Sequence, residues 1–599
     1  MRMKLHQRAS FIFLLFSTHL VIAQSAIQNV PGRKQTSLNG KWQAIVDHAD
    51  VGDCPWSGLW KDRKPTDKAD FVEYAYDGNA LFDVPCELNT QLPELKYYES
   101  TIWYKKTFAT SHKAGKKLFL YFDAANYQTD VYLNSVKLGS HEGGFTPFQF
   151  DITDKVREGS NTLIVRVNNQ RQKNGVPSLD YDWFNYGGIT RDVRLIETPS
   201  CYIDDYFIQA DKKNPNRITG YVQLKGASTS QRVKLCFDGA GKTYSLQTDK
   251  DGYARVDIEA RLNLWSPENP VLHAVELSTA TDTVCERIGF RTIETRGTRV
   301  FLNGKAIFLK GINFHEEIAQ RKGRACTEAD AQQVLNEAKE LGCNFIRTAH
   351  YAQNEYLVRL AEKMGFMIWE EIPVFQAITF ENAGTQALIK MQMRETIRRD
   401  KNRCGIIIWS VANETASSPI RNKVLAETVA LCRSLDNTRL VSAAFNNMVF
   451  DKDKVLIQDS LIEHLDLIGI NEYIGWYTPW KVAPEKTSWV SDYNKPLIIT
   501  EFGAEAMYSI HENTDLASSW SEEYMAKVYT DQISMMQQIP FLCGCCPWIL
   551  SDFRSPRRMH PVYQNGWNRK GLLSDKGYKK QAWYIMHDCY TNNKLHYAQ

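Results

Sequence analysis

The spacing of apolar residues divides the chain into three parts. Over residues 24–198, apolar and polar residues alternate in short runs, such as 129–133 and 161–167, with turn residues between them. Alternation over roughly 4–8 residues is typical of half-buried strands, which indicates a jelly-roll-like β-sandwich. Residues 199–294 have the same character and about the length of an immunoglobulin-like domain. The first half of the chain is therefore predicted to hold two consecutive β-sandwiches.

From residue 295 to residue 599 the pattern changes. Continuous apolar runs of strand length now alternate with stretches of helical periodicity, and Thr327 is placed to cap the first of these helices. Alternating strand and helix signals indicate βα units around a parallel sheet. Eight strand candidates predict a (β/α)8 TIM barrel, namely 308–315, 345–351, 366–372, 406–414, 440–445, 467–473, 497–503 and 545–553.

Two of the predicted barrel strands end in a glutamate. Glu414 follows an apolar run that begins at Ile406, and Glu501 follows one that begins at Leu497. They end the fourth and seventh strands, on opposite sides of the barrel mouth, where the chemistry of such barrels takes place. A single glutamate there would equally well be an exposed residue where a strand meets solvent. Two carboxylates at one mouth can cleave a glycosidic bond, one as acid and the other as nucleophile or base.

The predicted strand ends carry other polar and aromatic residues as well. Arg347 is expected to keep one carboxylate ionised, because a nearby cation lowers the pKa of an acid. Asn413, next to Glu414, is a candidate donor to a sugar hydroxyl. A single histidine at a strand end is more often structural than catalytic, but the whole set predicts a sugar-binding pocket. The other candidates are His315, His350, Tyr473, Tyr477 and Trp548, the last of them on predicted strand eight.

The N-terminus has the composition of a signal peptide, predicted over residues 1–23. Basic residues up to Arg8 precede an apolar run from Phe11 to Ala23, and Gln24 is predicted to begin the mature protein. The run is too short to favour a transmembrane span, although a retained N-terminal anchor is the alternative. We therefore expect a secreted or periplasmic protein of a Gram-negative bacterium, without stable membrane insertion.

Charge and cysteine content exclude several classes of protein. A formal net charge of +3 over 599 residues gives no reason to expect a nucleic-acid partner. The 13 cysteines show no disulfide-framework spacing. Residues 543–546, Cys-Gly-Cys-Cys, have no partners at zinc spacing and are better interpreted as a buried strand with free thiols. No metal ion or cofactor is expected, and homo-oligomerisation is left open.

Longer motifs resemble those of glycoside hydrolase family 2 over essentially the whole mature chain. Residues 409–414, Trp-Ser-Val-Ala-Asn-Glu, are similar to the acid/base segment of that family, and residues 500–503, Thr-Glu-Phe-Gly, to its nucleophile segment. Residues 142–148 resemble its sugar-binding-domain signature. The resemblance implies a retaining exo-β-glycosidase for a carbohydrate substrate. Glu501 would attack the anomeric carbon, and Glu414 would act first as acid and then as base.

Within this family, several residues are similar to those of β-glucuronidases. Residues 471–477 match a segment of those enzymes that includes Tyr473 and Tyr477. Asp182 stands in the place of a sugar-contacting aspartate. Asn568 and Lys570 match a motif associated with binding a substrate carboxylate, with which an amide and an ammonium can pair.

Gln564 departs from the glucuronidase pattern, which has an arginine at this place. Arg554, Arg557 and Arg558 are candidates for the missing cation, or they form a solvated loop. A β-galactosidase of the same family is therefore the alternative, and a mannosidase or glucosaminidase is a further one. A non-catalytic carbohydrate-binding protein would not need both glutamates. A metal-dependent hydrolase is disfavoured, because no His-x-His motif ends the first strand.

Overall fold

The computed structural model describes residues 23–67, 72–111, 113–238, 241–512 and 516–597. The predicted signal peptide therefore lies outside the described residues, apart from Ala23. No helix within the described ranges is long and apolar enough to cross a membrane.

The first domain is an antiparallel β-sandwich, as its alternating pattern predicts. Its core lies between the two sheets and is filled by large apolar side chains such as Trp42, Leu120 and Val165. One sheet contains, in spatial order, Gln24–Ser25, Phe148–Asp151, Lys116–Phe122, Val193–Pro199 and Gln35–Ser37. The other contains Ala80–Val84, Gly40–Asp47, Thr101–Thr110, Gly159–Asn168, Gln128–Leu133 and Val136–Glu142.

The second domain is a smaller sandwich with its own core around Ile208, Val222 and Leu235. The strand from His273 to Ser278 alternates between buried and more exposed positions, as expected for a strand with one face on a core. Its three-stranded sheet has the order Tyr202–Ala210, Arg217–Lys225, Tyr253–Glu259. Its four-stranded sheet has the order Thr243–Gln247, Arg232–Phe237, His273–Ser278, Thr283–Ile288.

A closed parallel barrel forms the remainder of the molecule. Its first strand is interrupted and pairs through Leu309–Lys310 with the last strand and through Asn313–Phe314 with the second, which closes the sheet. All eight residues of the fourth strand are buried, because parallel barrel strands are covered on both faces. Strands two to eight are Phe345–Thr348, Met367–Glu371, Ile406–Asn413, Leu440–Phe445, Ile468–Asn471, Leu497–Glu501 and Leu542–Cys545.

Helices cover the outside of the barrel. Thr327 caps the first one, as predicted, with a capping box that includes Asp330. In the described residues, strands five and six and strands six and seven are not joined by an α-helix. A short sheet of Met448–Asp451, Lys454–Ile457 and Ser488–Ser491 lies there instead. The helices are α1 Glu328–Glu340, α2 Glu355–Met364, α3 Ala383–Asp400, α4 Pro419–Leu435, α5 Glu522–Met536 and α6 Gln581–Thr591.

The multidomain fold is as predicted, but the placement of the eighth barrel strand at 545–553 was wrong. The strand runs from Leu542 to Cys545, where Gly544 lies so close to Leu309 that a Cβ would be 2.6 Å from the Cβ of Leu309. Pro547 follows and has no N–H to donate to a neighbouring strand. Trp548 therefore lies in the loop after strand eight and not on the strand. Residues 543–546 are buried free thiols and a glycine, as expected.

Candidate active site

Glu501 is the last residue of barrel strand seven and is buried. Its Oε1 accepts a hydrogen bond from Arg347 Nη1 at 2.8 Å, and its Oε2 accepts one from the Tyr473 hydroxyl at 2.7 Å. His350 Nε2 lies 3.7 Å from Oε1. Burial raises the pKa of Glu501 above its usual range, Arg347 and His350 oppose that rise, and Glu414 adds to it. Arg347 therefore pairs with one carboxylate as expected, but burial outweighs the cation in the net shift.

Arg347 is itself held by a second carboxylate behind the site. Glu371, at the end of strand three, accepts hydrogen bonds from Arg347 Nη2 at 2.9 Å and from Trp369 Nε1 at 2.8 Å. His350 Nδ1 lies 2.8 Å from the same carboxylate. Burial raises the pKa of Glu371, but Arg347 and His350 lower it by more, so that the net shift is downward. Glu371 is thus the fixed counter-ion that orients Arg347 and His350 toward Glu501.

Glu414 lies at the end of strand four in a different environment. Its backbone has a φ of 52°, in the left-handed region, immediately after the last strand residue, Asn413. Its Oε1 accepts a hydrogen bond from Asn471 Nδ2 at 2.7 Å, and its Oε2 accepts one from Gln376 Nε2 at 3.0 Å. Both partners are neutral amides, and the residue is partly exposed. This carboxyl group is therefore accessible to molecules bound in the cavity.

Asn413 has a buried donor without a partner among the described residues. Its Oδ1 accepts hydrogen bonds from Arg347 Nη2 at 2.7 Å and from Asn471 Nδ2 at 3.0 Å, which fixes the orientation of the amide. The Nδ2 atom of the same amide is buried and unpaired within the described structure. Because a buried donor without an acceptor is costly, this geometry suits a donor that completes its bond to a ligand.

A cavity of about 420 Å³ contains both glutamates. Most of the other candidates from the sequence lie on its wall, whereas Arg347 and Asn413 lie beneath it and Asn568 and His315 lie outside its lining. His315 is buried against Trp548, with 5.4 Å between ring centroids, and burial lowers its pKa well below the usual range. The predicted residues on the wall are Asp182, His350, Glu414, Tyr473, Tyr477, Glu501, Trp548 and Lys570.

The first β-sandwich supplies part of this wall. Trp183 packs among aromatic rings of the barrel, with ring centroids 5.7 Å from His350 and 5.2 Å from Phe375. Its neighbour Asp182 is thereby placed in the cavity lining. The site is therefore formed by two domains, which local sequence patterns cannot show.

Lys570 lies at one end of the cavity and is already paired. Its Nζ donates hydrogen bonds to the Tyr477 hydroxyl at 2.7 Å and to Glu505 Oε1 at 3.0 Å. Burial raises the pKa of Glu505, but Lys570 and Arg558 lower it by more, so that the net shift is downward. Asn568 supports the same region, because its Oδ1 accepts a hydrogen bond from the Lys570 backbone N–H at 3.1 Å.

Three side chains of the site were not singled out from the sequence, and a fourth, Arg558, was named only together with two other arginines. Glu371 ends the apolar third strand and Gln376 follows it, so a polar residue at a third strand end was the available signal. Glu505 lies four residues after Glu501 and gave no signal of its own. Arg558 was one of three arginines in a loop, and only its contacts separate it from the others. Within the described residues, no cluster of three or more potential metal ligands is present.

Comparison with known proteins places this geometry in a family. Sequence models of the glycosyl hydrolases family 2 match three consecutive regions: the sugar binding domain at 35–199, the family's middle domain at 201–291 and the TIM barrel domain at 293–568.

Two curated relatives align over nearly the whole chain. A β-glucuronidase of Paenibacillus borealis is 28% identical over 88% of this chain and 94% of its own length. A β-glucuronidase of Rattus norvegicus is 26% identical over 94% of this chain and 91% of its own length.

Solved structures agree on the fold. A β-glucuronidase from an uncultured Clostridium species superposes with a TM-score of 0.81 at 24% identity, covering 95% of this chain and 100% of that one. The β-glucuronidase of Ruminococcus gnavus gives a TM-score of 0.79 at 24% identity, covering 95% of this chain and 99% of that one. The three family matches and the paired glutamates lead to one conclusion: this chain is a glycoside hydrolase that belongs to glycosyl hydrolase family 2.

Proposed function

We propose that the protein is a retaining exo-β-glucuronidase, which hydrolyses terminal β-linked glucuronic acid from glycosides or oligosaccharides. The observation that carries this proposal is one cavity whose wall contains the carboxylates Glu414 and Glu501 and, among its cations, Arg558 and Lys570. The carboxylates perform the cleavage, and the cations select a sugar that carries a negative charge. Two curated relatives that align over most of the chain are β-glucuronidases, which supports this choice of sugar.

In the first step, Glu501 attacks the anomeric carbon while the bond to the leaving oxygen breaks. The new bond joins Oε of Glu501 to that carbon, and Glu414 transfers its proton to the leaving oxygen. In the second step, Glu414 removes a proton from water, the water oxygen bonds to the anomeric carbon, and Glu501 leaves. Glu414 ends the cycle protonated again, and the sugar leaves with its original configuration. The mechanism requires a separation of roughly 5–5.5 Å between the two carboxyl groups.

A β-galactosidase of the same family is the second candidate, and one observation favours it. Lys570 is neutralised by Glu505 at 3.0 Å, and Arg558 is neutralised by Asp182. A cavity whose cations are already paired also accepts a neutral sugar, and Gln564 adds no charge.

A panel of nitrophenyl β-glycosides separates the two candidates. The wild-type protein is expected to give the highest kcat/KM on the β-glucuronide and at least about tenfold less on the β-galactoside and β-glucoside. The reverse order between glucuronide and galactoside would replace the proposal by the second candidate. Proton NMR of the first-formed product tests retention, and an initial α-anomer would contradict the mechanism. Glu501→Gln protein is the control for contaminating activity.

We also propose that the protein is exported, on the strength of the basic and apolar segment at residues 1–23. Expression of the full chain in a Gram-negative host, followed by fractionation and N-terminal sequencing, should give a periplasmic or secreted protein that begins near Gln24. A cytoplasmic protein with an intact N-terminus would contradict this proposal.

A further inference from the structure

Arg558 lies in the loop between two short paired strands, Phe553–Arg554 and Trp567–Asn568. Its guanidinium reaches into the cavity and pairs with both oxygens of Asp182, to which Nε donates at 3.3 Å and Nη2 also donates. Its Nη1 donates to the Tyr477 hydroxyl at 3.0 Å. Arg558 therefore spans the sandwich domain and the barrel at the end of the cavity where Lys570 lies.

The two cations at this end differ in access. The side chains of Lys570 and its partner Glu505 are each 1% exposed. The side chain of Arg558 is 24% exposed, and that of its partner Asp182 is 17% exposed. A charged group that enters from the cavity therefore reaches Arg558 before Lys570, which is shielded by Glu505 and Tyr477.

Within the described residues, both Arg558 and Lys570 are already paired, so neither is free for an incoming anion. Two cations, Arg558 and Lys570, are matched by two carboxylates, Asp182 and Glu505. A third carboxylate must therefore replace an existing partner, because a buried unpaired charge is strongly unfavourable. The partner that can be replaced is Asp182, which keeps donors from the Ser555 hydroxyl and from Asn568 Nδ2 at 3.4 Å when it loses Arg558.

The two neighbouring arginines, Arg554 and Arg557, are not placed to bind an incoming carboxylate at this end of the cavity. Arg554 is buried with its guanidinium 3.6 Å from the centre of the Phe184 ring, and its Nη1 donates to the Lys322 carbonyl. Arg557 pairs with Asp180 at 3.2 Å and is exposed at the rim. Only Arg558 shares the Tyr477 hydroxyl with Lys570 among these three arginines.

We propose that Arg558 is the specificity-determining residue that binds the carboxylate of a uronic-acid substrate, by exchanging part of its contact with Asp182 for the substrate. This assignment rests on the proposed glucuronidase function. The planar guanidinium suits the exchange, because its fork can bond one carboxylate through two N–H groups and a second through the others. Tyr477 accepts bonds from both cations, which leaves its own proton available to the bound sugar.

The test compares Arg558→Gln and Arg558→Lys with the wild type on the nitrophenyl β-glucuronide and on the corresponding β-glucoside. Arg558→Gln should raise KM for the glucuronide on the order of 10²-fold, since it removes a charge-assisted contact, and should change kcat/KM for the neutral glucoside less than about threefold. Arg558→Lys keeps the charge but not the forked geometry, so its KM for the glucuronide should lie between those of the wild type and Arg558→Gln. The matched control is Arg433→Gln, which removes a surface arginine of α4. The side chain of Arg433 is 44% exposed and is paired with Asp466.

A second measurement does not depend on turnover. Calorimetric titration of Glu501→Gln protein with D-glucuronate and with D-glucose should show glucuronate binding that is lost in the Glu501→Gln/Arg558→Gln double variant. Thermal melts identify a variant that fails to fold, and Arg558→Lys then provides the comparison.

The outcomes separate the two proposals. If the wild type cleaves the β-glucuronide and Arg558→Gln leaves its KM unchanged, the assignment of Arg558 is wrong while the glucuronidase function stands. If Arg558→Gln weakens both substrates equally, Arg558 only supports the loop, and the assignment is again wrong. If the wild type neither cleaves the glucuronide nor binds glucuronate, both the proposed function and the assignment of Arg558 are wrong.

Discussion

The two strand ends that carry the proposed catalytic glutamates have the same local sequence character and opposite surroundings. Glu501 is buried and bound by a cation, Arg347, and by a tyrosine hydroxyl. Glu414 is partly exposed and bound by two neutral amides, Asn471 and Gln376. Arg347 opposes the rise in the pKa of Glu501 that burial causes and so favours its charged form, whereas the two donors to Glu414 carry no charge. The neighbours, and not the strand ends, therefore distinguish the proposed nucleophile from the proposed acid/base.

The largest effect is expected at Glu501. Glu501→Ala should lower kcat by more than about 10⁴-fold on every substrate, since among the described residues it removes the carboxylate of the cavity wall that Arg347 binds. Measurement of kcat on an activated and an unactivated aryl glycoside tests this. If the activated substrate is spared, Glu501 is the acid and not the nucleophile.

Glu414→Ala should have a large effect that depends on the leaving group. The loss should be about 10²- to 10⁴-fold on substrates whose leaving group needs a proton, and much smaller on a nitrophenyl glycoside. Added azide should partly restore turnover by attacking the glycosyl-enzyme. The β-glycosyl azide is the expected product. If azide rescues neither variant, or rescues both glutamate variants equally, the assignment of the two roles is wrong.

Arg347→Lys tests whether the cation beside Glu501 controls the charge of this carboxyl group. Lysine cannot bond Glu371 and Glu501 with the same fork, so kcat/KM should fall by about 10²-fold. Activity requires ionised Glu501, and it is therefore lost as the pH falls through the pKa of this group, which burial raises. Lysine at position 347 should oppose this rise in pKa less than Arg347 does, so the acid limb of the kcat/KM profile should move to higher pH. An acid limb that stays in place would mean that Arg347 does not control the charge of Glu501.

The smallest effect concerns a third carboxyl, Glu472, for which the described residues provide no cation partner. Its Oε2 accepts bonds from the Ile474 N–H at 2.9 Å and from Gln532 at 3.1 Å, and burial raises its pKa to about 8. The folded-state pKa is above the unfolded value of roughly 4.3, so its contribution to stability is full at low pH and is lost as the pH rises through about 8. Glu472→Gln should remove this loss of stability at high pH.

The measurement for Glu472 is Tm as a function of pH. The difference in Tm between Glu472→Gln and the wild type should increase in favour of the variant between about pH 5 and pH 9. A difference that is constant with pH would show that Glu472 is already ionised in the folded protein. Lys579→Gln, which changes a partly exposed lysine paired with Glu340 outside the cavity lining, is the control.

Much of the fold could be predicted because its signals are local. Alternation with period two fixes which face of a sandwich strand is buried, and continuous apolar runs such as Ile406–Asn413 fix a strand covered on both sides. The eighth strand was misplaced because small residues in the run from Leu542 to Cys545 have little apolar signal, while Trp548 beyond it has much. Its position depends on the close approach of Gly544 to Leu309, a residue more than two hundred positions earlier.

The two glutamates to which we assign the chemistry could be identified from the sequence alone. Glu414 and Glu501 stand at strand ends, and strands of a parallel barrel end at one mouth. Only the tertiary structure decided the surroundings of each group. Asp182 meets Arg558 across 376 residues of chain, and Lys570 meets Glu505 across 65. Such pairs depend on the packing of domains and loops, and the strength of each charge depends on its burial, so neither follows from the pattern of neighbouring residues.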